Sequence, residues 1–124
     1  MVTVATRGNS TIDGGCGLVV SNDEVYYSTA PSPGKGGLVA RAGGSPGQGA
    51  VLVDEGQGAS GVFTVDASYL YFMTPTGVMR MPRAGGPAVM LAPLSPPSPF
   101  PTCIAVDEAH LYWVDGARLM QLKK

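Results

Sequence analysis

The sequence predicts an all-β protein assembled from a repeated four-stranded unit, and three observations carry that reading. The first is internal repetition. The run Leu18-Val19-Val20-Ser21-Asn22-Asp23-Glu24-Val25-Tyr26-Tyr27 aligns with Phe63-Thr64-Val65-Asp66-Ala67-Ser68-Tyr69-Leu70-Tyr71-Phe72, and again with Ile104-Ala105-Val106-Asp107-Glu108-Ala109-His110-Leu111-Tyr112-Trp113. Its anchor valines, Val20, Val65 and Val106, are 45 and 41 residues apart, the period of a β-propeller blade. The second is a landmark in step with the first: Arg41-Ala42-Gly43-Gly44 returns 42 residues later as Arg83-Ala84-Gly85-Gly86. The third is composition. Gly 18 and Pro 11 punctuate the 124 residues with turns, while hydrophobic residues reach 44%, too many for a disordered chain.

Alternation and punctuation place each element in order. A short apolar strand, residues 2–5, comes first. The first blade spans 18–54, with strands at 18–21, 25–28, 38–41 and 50–54. The second spans 62–92, with strands at 62–65, 70–73, 78–81 and 88–92. A partial blade spans 104–122, with strands at 104–106, 111–114 and 118–122. No segment combines a sustained helical period with caps, so essentially no helix is expected. Paired aromatics (Tyr26 and Tyr27, Tyr71 and Phe72, Tyr112 and Trp113) put apolar groups on both strand faces, as a sheet between two neighbouring sheets requires. The whole chain, 1–124, reads as one half-propeller unit.

Three blades cannot close a ring, since propellers typically have four to eight. The last blade lacks a fourth strand, and residues 2–5 supply one. Two copies related by a two-fold axis would give six blades, with Val2, Thr3 and Val4 of each chain pairing against Leu119, Met120, Gln121 and Leu122 of the other. The expected partner is therefore the chain itself. The competing reading is a fragment of a longer propeller.

Leu111-Tyr112-Trp113-Val114-Asp115, with Ile104-Ala105-Val106-Asp107 before it, resembles a blade of the six-bladed YWTD propellers and their TolB-like and NHL-like relatives. Val114 stands where that motif has Thr. The other repeats depart further, reading Tyr71-Phe72-Met73-Thr74 and Tyr26-Tyr27-Ser28-Thr29. The resemblance implies six blades and a binding or scaffolding role. It implies no catalytic residue, because the motif is structural: its aromatics fill the space between blades and its Asp bonds backbone at turns.

Composition excludes several partners. Net charge is −1 and charged residues are 14%, so nothing draws the chain to nucleic acid or an anionic membrane. No apolar run approaches the roughly 20 residues of a membrane-spanning helix. Residues 1–7 lack the basic start and apolar core of a signal peptide; a cytosolic chain and one whose leader has been removed both fit.

Catalytic constellations are scarce. Asp23, Asp66 and Asp107 each follow an apolar strand, where an Asp bonds the backbone two residues on; turn-making is the expectation for all three. Gly43-Gly44 and Gly85-Gly86 serve turns between third and fourth strands. His110 is the single histidine, read as a surface turn residue, and no G-x-S-x-G elbow or zinc spacing occurs. Cys16 and Cys103 occupy near-equivalent places before a first strand. A bridge between copies fits the ring, but buried or semi-buried thiols acting as small hydrophobes are the expected state. Neither metal nor cofactor is expected.

A ligand is expected at one mouth of the channel, on loops that enter each first strand and join second to third strands. Candidates there are Arg7, Asn9, Asp13, Lys35, Glu55 and Gln57, with Phe100 as an apolar platform. The run Pro96-Pro97-Ser98-Pro99-Phe100-Pro101 reads as an extended connector. The favoured function is a non-catalytic binding or interaction scaffold for a small molecule, glycan or peptide. The rival is a propeller-type lyase or hydrolase using carboxylates or Ca²⁺ on the axis, where two-fold repetition would duplicate Asp13 and Glu55.

Overall fold

A computed structural model describes residues 17–29, 37–42, 49–94 and 103–124, with Glu55 described by its backbone alone. The closing strand at 2–5, Cys16, Gly43-Gly44 and the proline-rich run lie outside these residues. Within them the chain forms three antiparallel sheets. The first holds β1 (Leu18–Ser21), β2 (Glu24–Ser28), β3 (Val39–Ala42) and β4 (Gly49–Val53), in that order. The second holds β5 (Phe63–Val65), β6 (Tyr69–Thr74), β7 (Gly77–Pro82) and β8 (Val89–Pro93). The third has three strands, β9 (Ile104–Val106), β10 (His110–Asp115) and β11 (Arg118–Lys123), with β10 in the middle. Each strand lies within about two residues of its expected place. The one helical element is a 3₁₀ turn, Glu55–Gln57, capped by Asp54.

The sheets follow one another face to face. Strand β5 contacts both β1 and β9, so the three first strands are neighbours in chain order. Because strand side chains alternate between faces, adjacent residues of β6 serve different junctions. Leu70 and Phe72 pack with Tyr26, Val39 and Val53 of the first sheet. Tyr71 and Met73 pack with Leu111 and Trp113 of the third. All four β6 residues are at most 1% exposed. Burying each such side chain stabilises the fold by roughly 1.5–3 kcal/mol. The paired aromatics seen in the sequence are thus the two sides of one sheet.

Backbone contacts tie the first sheet to the loop before β5. The Ser28 hydroxyl, fully buried, donates to the Gly61 carbonyl at 2.6 Å. Gly37 forms an isolated bridge with Ala59. A Cβ at Gly37 would lie 2.4 Å from the Thr29 carbonyl oxygen, so this close approach of two backbones admits only glycine.

Hydroxyls and one carboxylate close the turns after the second strands. Thr74 Oγ1 accepts from the Gly77 amide at 3.1 Å, and Thr29 Oγ1 from the Leu38 amide at 3.1 Å. Asp115, in the same register position, accepts from Arg118 Nη2 at 3.1 Å. Thr29, Thr74 and Asp115 are all buried, which gives the last residue of the tyrosine-tryptophan run a structural task.

Three expectations are corrected. Arg41 and Arg83 are not equivalent: Arg41 lies inside β3 opposite Tyr26, while the residue opposite Tyr71 is Arg80 and Arg83 follows the end of β7. The shared Arg-Ala-Gly-Gly spelling is offset by three residues against strand register. Asp23 does lie in a turn, as expected, but it does not open one as Asp66 and Asp107 do. Register puts Ser21 there, and Asn22 and Asp23 form the centre of a two-residue turn with φ of 51° and 61°, both left-handed as a tight β-hairpin demands. Cys103, just before β9, is exposed instead of buried or semi-buried.

Candidate functional site

The turns after β1, β5 and β9 carry the densest polar chemistry among the described residues. Asp66 forms an Asx turn: its Oδ1 accepts from the Ser68 and Tyr69 amides at 2.9 and 2.7 Å, and its Oδ2 accepts from the Tyr71 hydroxyl at 2.8 Å. Asp107 repeats the arrangement. Its Oδ1 accepts from Ala109 and His110 at 2.7 and 2.6 Å, and its Oδ2 from the Tyr112 hydroxyl at 3.0 Å. The expectation that these acids hold turns is met by both.

A cation joins each sheet to the one before it. Arg83, 9% exposed, donates to the Asp66 carbonyl at 2.8 Å within its own sheet. It reaches across to the first sheet, to Ser21 Oγ at 3.0 Å, the Ser21 carbonyl at 2.7 Å and Glu24 Oε2 at 3.0 Å. Its guanidinium also lies 5.1 Å from the Tyr26 ring centroid, within cation–π range. Lys124 holds the same place in the third sheet. Its Nζ donates to the Asp107 carbonyl at 2.9 Å and pairs with Asp66 Oδ2 of the second sheet at 2.8 Å. Both cations lie eighteen residues after their anchor valines. Their amides bond equivalent carbonyls, Ser68 for Arg83 and Ala109 for Lys124, each at 2.9 Å.

Electrostatics follow from these contacts. Burial alone would raise the Asp66 carboxyl, but the Lys124 ammonium, two backbone amides and the Tyr71 hydroxyl together hold it at about 2. Burial, then the bond to Asp66, pushes the Tyr71 phenol up. Asp107 is lowered, first by the Ala109 and His110 amides. Glu24 is lowered by the Tyr26 hydroxyl and then by Arg83. Both aspartates are therefore ionised clips at neutral pH with no proton to deliver, which is the wrong state for a general acid. No group of three His, Cys, Asp or Glu side chains among the described residues has the geometry to hold a metal ion.

Between the β5–β6 and β9–β10 turns opens a cleft of about 580 Å³. Its lining is apolar at Val65, Val106 and Tyr71, and polar at Asp66, Tyr69, Arg80, Glu108 and Lys124. Arg80 stacks on Tyr69, with its Cζ 4.3 Å from the ring centroid. This cleft lies where first strands turn into second strands. Gln57, the one ligand candidate named from sequence whose side chain is described, does not line it.

Of the sequence candidates, Arg7, Asn9, Asp13, Lys35 and Phe100 lie outside the described residues. Gln57 belongs to the 3₁₀ turn, where its Oε1 accepts from the Asp54 amide at 3.0 Å; Glu55 opens that turn. His110 opens β10, half-buried, with Nδ1 3.9 Å from Asp107 Oδ1. Leu119, Met120, Gln121 and Leu122 form the body of β11, paired to β10 on one side; Val2, Thr3 and Val4 are outside the described residues. Sequence reasoning missed Arg83 and Lys124 as a pair. The eighteen-residue offset from each anchor valine is the signal that would have found them.

No family model, curated protein or solved structure matches this chain.

Proposed function

We propose that the chain is a binding scaffold of the β-propeller kind, three blades of a six-bladed ring that two copies complete, resembling the YWTD, TolB-like and NHL-like group. One observation carries this reading: consecutive sheets meet twice through the same parts, with neighbouring first strands, an aromatic from each second strand in the junction and a cation across the turns. A stack grown by one repeated junction curves by a fixed step, and a ring is its closed form.

The two end sheets support closure by a second copy. Leu18 and Val20 on the first sheet are 64% and 68% exposed, and Leu119 on the third is 74% exposed. Bare apolar groups at both ends of a stack invite cover. Head-to-tail contact of two copies buries both ends at once and closes symmetrically. The ligand would be a small molecule, glycan or peptide at a channel mouth, bound without catalysis.

Sedimentation velocity across a concentration series tests the ring. A stable species of twice 12.7 kDa is expected, and Val20→Glu or Leu119→Glu should return it to one chain's mass. A wild-type chain that stays at 12.7 kDa at all concentrations contradicts two-copy closure.

A further inference from the structure

We propose that the cleft between the β5–β6 and β9–β10 turns binds a small organic carboxylate with an apolar body, its carboxylate held by Arg80. The inference deepens the binding role proposed above by naming a site and a ligand class; it rests on that role and not on ring closure by two copies.

Arg80 is an arginine whose internal acid is gone. Register sets Arg41 opposite Tyr26 in the first sheet and Arg80 opposite Tyr71 in the second, so the two arginines hold one place in the repeat. Two residues before these tyrosines stand Glu24 and Tyr69. In the first sheet Arg41 Nη1 pairs with Glu24 Oε1 at 3.4 Å. In the second an aromatic ring replaces that carboxylate, and the half-buried guanidinium lies on it, its Cζ 4.3 Å from the Tyr69 centroid. Among the described residues Arg80 enters no ion pair and donates no hydrogen bond, whereas Arg41, Arg83 and Arg118 each meet a carboxylate. Stacking holds the plane of the guanidinium and leaves its N–H edge for an acceptor from outside.

The rest of the cleft says what that acceptor is. Val65, Val106 and the Tyr71 ring give it apolar surface, and its volume of about 580 Å³ is that of a small-molecule site. Most of the other charges there are already engaged. Lys124 is held by Asp66 and by the Asp107 carbonyl. Asp66 and Asp107 commit their oxygens to turn amides and tyrosine hydroxyls. Arg80 is therefore the cation of the cleft that is open to a ligand. Asp66, Asp107 and the exposed Glu108 also line the cleft, and their negative charge opposes a phosphate dianion more strongly than a monoanion. A planar carboxylate accepts two parallel bonds from the guanidinium edge at lower charge.

Backbone amide NMR of the full chain, titrated separately with benzoate, hexanoate and indole-3-acetate, tests the assignment. At least one acid should bind with a Kd of about 1 mM or tighter and move the amides of Val65, Ser68, Val106 and Glu108. The alcohol corresponding to the tightest acid should bind about tenfold more weakly, and inorganic phosphate should also bind more weakly than that acid. Arg80→Met should weaken the acid about tenfold, and Arg80→Lys, which keeps charge and stem but loses the fork, about fivefold. The same spectra report whether each variant is folded; if Arg80→Met is not, Arg80→Lys decides. No bound acid, shifts confined to residues outside the cleft, equal binding of acid and alcohol, tighter phosphate, or undiminished binding in Arg80→Lys overturns the proposal. A chain of single mass whose cleft binds the acid would refute the ring alone; a two-copy species whose cleft takes none of the three would refute this inference alone.

Discussion

Lys124 Nζ stands 2.8 Å from Asp66 Oδ2, joining the third sheet to the second at the position where Arg83 joins the second to the first. The two cations differ in chemistry and burial, and this difference orders their expected effects.

Arg83 is the stronger latch. It is nine-tenths buried and spreads its donors over Ser21, Glu24 and the Asp66 carbonyl. Arg83→Met leaves those acceptors without their donor and should cost about 3 kcal/mol or more, read from urea unfolding. Arg83→Lys should recover less than half of that loss, because one ammonium cannot reproduce the planar fork. Full recovery by lysine would mean that charge alone holds the junction.

Acid should weaken the second junction within a defined window. The folded Asp66 carboxyl lies at about 2, below its ordinary value of 3.8. A depressed carboxylate stabilises the fold above its unfolded pKa, and that stability is lost as pH falls through the folded one. The contribution, on the order of 2 kcal/mol, should therefore fade between about pH 4 and pH 2. The check is the pH dependence of unfolding free energy, wild type against Asp66→Asn: the variant should lose part of the slope in that window. Equal slopes would show that the Asp66 carboxyl is not held down in the folded chain.

Core substitutions in β6 and β10 should report on two junctions separately. Phe72 packs toward the first sheet and Leu111 toward the second from the third. Each change to alanine should cost roughly 3–5 kcal/mol for the phenylalanine and 2–5 for the leucine. Phe72→Ala should raise amide exchange first in β1–β4, and Leu111→Ala first in β9–β11. Uniform loss across all three sheets would mean that the junctions do not open independently.

The strands were legible in the sequence because each repeat spends its largest residues the same way. Tyr71-Phe72 and Tyr112-Trp113 mark a second strand with aromatics on both faces, and Asp66 and Asp107 mark the turn before it. The latches were not legible, for three physical reasons. Arg83 and Lys124 differ in type, they lie just beyond strand ends where alternation gives no signal, and each acts on a different repeat from its own. Arg41 added a false match, since the longer connection between β2 and β3 slides its Arg-Ala-Gly-Gly run three places against register. The ligand loops chosen from sequence follow from propeller topology, whereas the described cleft arises between first and second strands, where Lys124 bridges two turns.

The most direct test of a cation latch between consecutive sheets is a double-mutant cycle on Asp66→Asn and Lys124→Met, read by denaturant unfolding. The side chains are 15% and 23% exposed, between a surface pair and a buried one. A coupling of about 1–2 kcal/mol is predicted. Changes that add within about 0.3–0.5 kcal/mol would contradict the latch.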